Sequence, residues 1–164
     1  MYSLEEFIRG AAAAMKGIFP GVAHASFCLL NSTRNCVNMY TFLGDGSRKP
    51  PRINVAVAPG TLIYHVLHNC QPVFISNVAA FPGPYADVQF MRFVLSLRSV
   101  ACLPLVVAGS RVLGVLRLGF EEQWNWTEQE KVRSRGVGRG GVGGKRGRAG
   151  VSMRITEGGV GWGW

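Results

Sequence analysis

Phe81, Tyr85, Phe90 and Phe93 crowd into one short stretch of this chain, with Asp87, Arg92 and Arg98 interleaved among them. Aromatic walls carrying a few polar groups suit a planar organic ligand, and a guanidinium suits that ligand's carboxylate or phosphate. Phe81, Tyr85, Asp87, Phe90, Arg92 and Arg98 are therefore candidate ligand-binding residues. The competing reading is that the aromatics fill the space themselves and leave an ordinary core, with Arg98 capping a strand end.

Other chemistry is thinly represented. His65 and His68 stand three apart on a predicted helix with Cys70 nearby, but a metal site needs three or four convergent ligands and no further donor is suitably placed, so two surface histidines and no metal are expected. Cys28, Cys36, Cys70 and Cys102 lie far apart, with no C-x-x-C pair and no secretory leader. That pattern points to reduced thiols in a cytoplasmic protein. Cys70 falls at a helix end and Cys102 in an apolar strand, where a thiol is inert rather than activated, so a redox sensor is the weaker reading. No Ser/His/Asp order, phosphate-cradling glycine loop or carboxylate pair stands out, and the chain is expected not to be an enzyme. The residues name no cofactor.

The elements that must position these side chains follow from pattern. Ser3 and Glu6 form a capping box before Leu4, Phe7, Ile8, Ala11 and Met15, which predicts an amphipathic first helix ending at Gly17, Pro20 and Gly21. "HASFCLLN" (24–31) and "CVNMYTFL" (36–43) read as strands about the turn "STRN", and "INVAVA" as a short third. A helix follows through "TLIYHVLHN", then a strand in "QPVFISNV" (71–78), then a long connection that turns helical near Val88, Met91, Phe93 and Leu95. "RSVACLPLVVAGSRVLGVLRLGF" (98–120) is a hairpin with charge only at Arg98 and Arg117 outside its turn, so both of its faces should be covered. "EEQWNWTEQEKV" starts a closing helix, with Thr127 and Glu130 as its capping box. The fold class is thus α+β, with a central antiparallel sheet.

The 164 residues and 48% apolar content suit one domain with a real core. Residues 1–131 carry eleven Lys and Arg against eight Asp and Glu, whereas residues 132–164 carry seven against one, together with twelve of the 22 glycines. The reading is a folded unit over 1–131 and a Gly/Arg-rich, disordered low-complexity tail over 132–164. Arg-Gly steps in that tail resemble RNA-binding segments, which makes an RNA-binding protein the alternative function. Its aromatics, Trp162 and Trp164, lie outside the arginine stretch, and G-rich non-coding sequence read in frame would have the same composition, so nucleic acid is not the expected partner. No apolar stretch reaches transmembrane length, and no membrane partner is expected.

"APGTLIYHVLHNCQPVFISNV", "LRSVACLPLVVAGSRVLGVLRL" and "WNWTEQE" in that order resemble the second half of a GAF domain: a helix entering G/Q-x-P-V-x-I-x-D-V, an R-S-x-x-x-x-P-L strand, a G-x-x-x-G-V-L strand and an F-T-x-x-E start to the last helix. The resemblance implies terminal helices on one face of the sheet and, on the other, a pocket roofed by residues 79–97. It also implies a sensory or regulatory module that binds an unidentified small molecule or dimerises through its terminal helices, beside a fused or partner output domain such as a kinase or cyclase. The bilin-linking Cys of phytochrome-type members is replaced here by Ala86-Asp87-Val88, and the N-K…F-x-x-x-D-E signature of cyclic-nucleotide-binding members does not occur. Members that reduce free methionine sulfoxide share an "AFPG"-like loop, here Ala80 to Gly83, but need reactive cysteines around it.

Overall fold

The computed structural model describes residues 3–31, 33, 35–107, 111–129, 131, 152–156 and 159–163. Helix α1 (Leu4–Ile18) opens on the expected box: the Ser3 N–H donates to Glu6 Oε2 at 2.7 Å and the Glu6 N–H donates to Ser3 Oγ at 3.2 Å. Glu5 and Glu6 sit in its first turn and Lys16 in its last, each matching the sign of the helix dipole there. Ile8, Ala11 and Met15 recur every three or four residues and form its buried stripe.

The strands are β1 (Val22–Leu30), β2 (Cys36–Leu43), β3 (Arg52–Ala56), β4 (Val73–Ile75), β5 (Ser99–Val107) and β6 (Arg111–Phe120). Helix α2 (Leu62–Asn69) lies between β3 and β4, and a 3₁₀ turn (Val78–Ala80) and helix α3 (Ala86–Phe93) lie between β4 and β5. The strands form one antiparallel sheet in the order β3-β2-β1-β6-β5-β4, so the fold is α+β. The hairpin pairs from Ser99↔Phe120 to Val107↔Arg111; its turn, 108–110, lies outside the described residues.

Both faces of the sheet are covered, as the near absence of charge on β5 and β6 requires. On one face Ile8, Met15 and Phe19 of the α1 region pack against Phe27, Leu103, Leu116, Leu118 and Phe120. Phe19 and Phe120 also meet Trp124 and Trp126, which follow β6. On the other face Leu62, Ile63, Val66, Val88 and Met91 cover Cys28, Val37, Val100, Cys102 and Val115. β1 and β6 approach closely at Gly114, where a Cβ would collide with the carbonyl oxygen of Cys28 and come within 2.9 Å of Leu29 Cα.

After Trp126 the chain starts a helical turn, with the Lys131 N–H bonded to the Thr127 carbonyl at 3.0 Å. Glu130, the expected partner of Thr127 in a capping box, lies outside the described residues, as does most of the tail. Within the tail β7 (Ser152–Thr156) and β8 (Gly159–Gly163) pair antiparallel, a hairpin that the glycine-rich composition does not announce.

Candidate functional site

The face opposite α1 holds a cleft of about 260 Å³ between the outer strands and the two short helices. Val37 and Met39 of β2 and Val55 of β3 supply its strand wall, and Ile63 of α2 and Phe90 of α3 supply its helix wall. Three charged side chains reach it: Asp87, Arg52 and Arg117.

Asp87 is held in place by backbone. Its Oδ1 accepts the Leu62 N–H at 2.7 Å and its Oδ2 accepts the Ile63 N–H at 3.4 Å, while Thr61 Oγ1 accepts the Tyr64 N–H at 3.2 Å and the Thr61 carbonyl accepts the His65 N–H at 3.1 Å. The amides of Leu62, Ile63 and Tyr64, which the helix itself cannot satisfy, thereby meet side-chain oxygens, and the Thr61 carbonyl takes the first bond of the helix proper. The Ala86 N–H further bonds the Gly60 carbonyl at 3.1 Å, so the starts of α2 and α3 are tied to one another.

Arg117 is the charged residue of the sheet's interior. Its cross-strand partners are Ser26 on β1 and Cys102 on β5, and side chains opposite each other in an antiparallel pair share a face. Ser26 Oγ is hydrogen-bonded to Thr41 Oγ1 at 2.9 Å, which continues a polar row, Cys102, Arg117, Ser26 and Thr41, across the sheet. Arg117 is only 8% exposed, yet its guanidinium makes no hydrogen bond or ion pair among the described residues. In the sequence Arg117 stands out only as an exception on an apolar strand. Its signal was there: a lone Arg between Leu116 and Leu118 on a strand buried on both faces needs a partner or a use.

The expected ligand-binding residues divide. Asp87 and Phe90 line the cleft. Phe81 and Tyr85 stack on each other at 5.9 Å and pack against the neighbouring core, with Tyr85 also 5.3 Å from the His65 ring. Arg92 and Arg98 line a different, polar depression with Asn77, Ser96 and Gln123, and the Arg92 guanidinium lies over the Phe93 ring at 4.7 Å. The eight-residue α3 turns its residues in different directions, so crowding along the chain did not become convergence in space.

His65 and His68 also diverge. His68 stacks on Tyr64 at 3.9 Å and contacts the Tyr64 carbonyl through Nδ1, whereas His65 Nδ1 meets Asn69. No group of three or more His, Cys, Asp or Glu converges among the described residues. The four cysteines are free thiols. Burial pushes the Cys28 thiol up from its ordinary pKa and Cys102 well above it. Burial, and then the nearby charges of Lys49 and Arg117, lower the pKa of His24 on β1. Among the described residues no helix is long and apolar enough to cross a membrane.

The family model for the GAF domain matches residues 2–132. Similar solved structures include the GAF domain of a two-component sensor histidine kinase from Bacillus halodurans, 18% identical, with 80% of this chain and 86% of that one covered at a TM-score of 0.61. A red/green cyanobacteriochrome in its red-light-absorbing state is 10% identical, with 82% and 88% covered and a TM-score of 0.62. The type II free methionine-R-sulfoxide reductase from Thermoplasma acidophilum is 15% identical, with 83% and 90% covered and a TM-score of 0.56. No curated protein matches the chain by sequence. These neighbours share the fold, and they correct one expectation: the reductases are GAF-fold enzymes, so the lack of a familiar catalytic motif does not support reading this chain as a non-enzyme. Its sheet order, its helices and the match over residues 2–132 agree, and the chain belongs to the GAF domain family.

Proposed function

We propose that this GAF domain is a sensory or regulatory module whose cleft captures a small organic molecule and reports its occupancy to an output domain, fused or separate, such as a kinase or cyclase. The observation that carries this reading is the cleft itself, with apolar walls from β2, β3, α2 and α3 and charged groups at a few points, the composition of a small-molecule site. The Bacillus halodurans neighbour is by its description part of a sensor histidine kinase, which supports a signalling context. Four free thiols fit a reducing cytoplasmic setting.

A route for the signal follows from the hydrogen bonds. A ligand between Met39 and Phe90 bears on α3, and through Asp87 on the start of α2, which covers the central strands. At the end of the sheet the buried Ser99 hydroxyl donates to the Ser76 carbonyl and accepts the Trp124 N–H, joining the segment before α3 to the one that leaves β6. Capture would order residues 79–97 and, through this joint, bias the packing of Trp124 and Trp126 against α1. Dimerisation through α1 has less support: among the described residues its exposed positions include Glu5, Glu6, Arg9 and Lys16, with Leu4 its one exposed large apolar side chain.

Thermal-shift measurements against nucleotides, tetrapyrroles, amino acids and organic acids test the ligand part. A ligand at one hundred times its Kd adds about 2.7 kcal/mol, or about 10 °C in Tm for a domain of this size. No stabilisation by any of them would remove the small-molecule reading.

A further inference from the structure

Resting on the small-molecule reading of the cleft, we propose that its ligand is a small apolar monocarboxylate, with a body about the size of one ring, whose carboxylate is held by Arg117. A guanidinium left with little contact with water and with no anion or acceptor is disfavoured, and proteins that bury arginine normally surround it with partners. Arg117 is more than nine-tenths buried on a central strand and has none among the described residues. Its neighbours do not fill the need. The Ser26 hydroxyl is engaged with Thr41, and Cys102 is a buried thiol held neutral. Asp87, the carboxylate of the same cleft, stays beyond ion-pair reach, its Oδ1 held by the Leu62 amide at the start of α2. The missing partner is an anion, and the open space beside the guanidinium is the cleft.

The rest of the lining limits what that anion carries. Val37, Met39, Val55, Ile63 and Phe90 offer no hydrogen-bonding side chains, and the Thr61 hydroxyl in the same lining already donates to the Ala58 carbonyl and accepts the Tyr64 N–H, so the body of the ligand is apolar. A cavity of roughly 150 Å³ lined by aliphatic and aromatic side chains takes up benzene. At about 260 Å³ this cleft has room for a ring or a branched chain together with a carboxylate. A planar guanidinium matches a carboxylate through two parallel hydrogen bonds, and Arg52 in the same lining adds positive charge that favours entry of an anion.

The test uses the full chain and three acids, phenylacetate, 3-phenylpropanoate and 4-methylpentanoate, each against its uncharged amide, with binding read by calorimetry. At least one acid should bind about 10- to 100-fold more tightly than its amide, the range for a hydrogen bond to a charged partner. Arg117→Met should bring acid and amide within about two-fold, and Arg117→Lys should restore part of the difference. Arg117→Met should also fold at least as stably as the parent, because it removes an uncompensated buried charge. If that variant does not fold, the Nε–H resonance of Arg117 in the parent protein serves instead, shifting with the acids and not with the amides. Equal binding of acid and amide, unchanged by Arg117→Met, would overturn the carboxylate assignment while leaving the small-molecule reading intact. Inorganic phosphate binding more tightly than every acid would overturn it too. Failure of all six compounds would overturn the assignment, and the small-molecule reading would fall only if the wider thermal-shift panel were also silent.

Discussion

Replacing Asp87 with alanine removes the acceptors of the first two amides of α2 from a residue 25 positions further along the chain. The bond to the Leu62 N–H, at 2.7 Å, lies in the short range of charge-assisted hydrogen bonds, whereas the bond to the Ile63 N–H, at 3.4 Å, is too long to add much. Hydrogen bonds to a charged partner contribute about 1.5–3 kcal/mol, and the half-buried position of Asp87 places Asp87→Ala near 2 kcal/mol. Thr61 still caps the Tyr64 amide, so the loss stays within the first turn of α2. Urea denaturation followed by circular dichroism reads it as a midpoint lower by about 1 M at an unchanged slope. Asp87→Asn keeps an acceptor oxygen without the charge and should lose roughly half as much. Since Thr61 and Asp87 serve the same helix end, Thr61→Ala should be non-additive with Asp87→Ala. A loss below about 0.5 kcal/mol for Asp87→Ala, the range of an ordinary surface change, would refute the view that this carboxylate joins the two helices.

Gly114→Ala should abolish folding or cost more than about 3 kcal/mol, because the added Cβ meets strand backbone that cannot yield, and a thermal melt checks this. A thiol reagent near neutral pH should label Cys36 and Cys70 in the native protein and spare Cys28 and Cys102, with all four reacting in denaturant; peptide mass spectrometry separates the sites. His24 has its pKa lowered from 6.5 by folding, so the folded state resists its protonation. The unfolded chain then takes up the proton first, and stability present above about pH 6.5 declines as the pH falls through that value toward the depressed one. Urea midpoints between pH 5 and 7.5 should show the decline in the parent and a shallower one in His24→Gln.

Much of this architecture is legible in the residues because it rests on local rules. Ser3 and Glu6 announce the start of α1, Thr61 announces α2, and the apolar runs either side of 108–111 announce β5 and β6. The absence of charge on that hairpin also foretells two covered faces. The site was less legible because it depends on register and on contacts between distant segments. Asp87 reads as a ligand residue when seen among Phe81, Tyr85 and Phe90, and only the fold shows its oxygens on the amides of Leu62 and Ile63. Arg92 and Arg98 are close in sequence to Phe90 but line another depression. Arg117 could be seen as anomalous on β6, yet its place in the cleft follows from the pairing of β6 with β1 and β5 and from the packing of α2 and α3 above. Whether the chain is an enzyme was not legible either, since free methionine-R-sulfoxide reductases share this fold.

The ligand cleft belongs to the face of the sheet under α2 and α3, not to the face packed by α1. Methyl NMR during titration with a compound that stabilises the domain in the thermal-shift panel tests it most directly. The methyl signals of Met39, Val37 and Ile63 should shift and saturate together, while those of Ile8, Met15 and Leu118 beneath α1 stay in place. Saturating shifts at Ile8, Met15 and Leu118 with Met39 and Ile63 unmoved would contradict it.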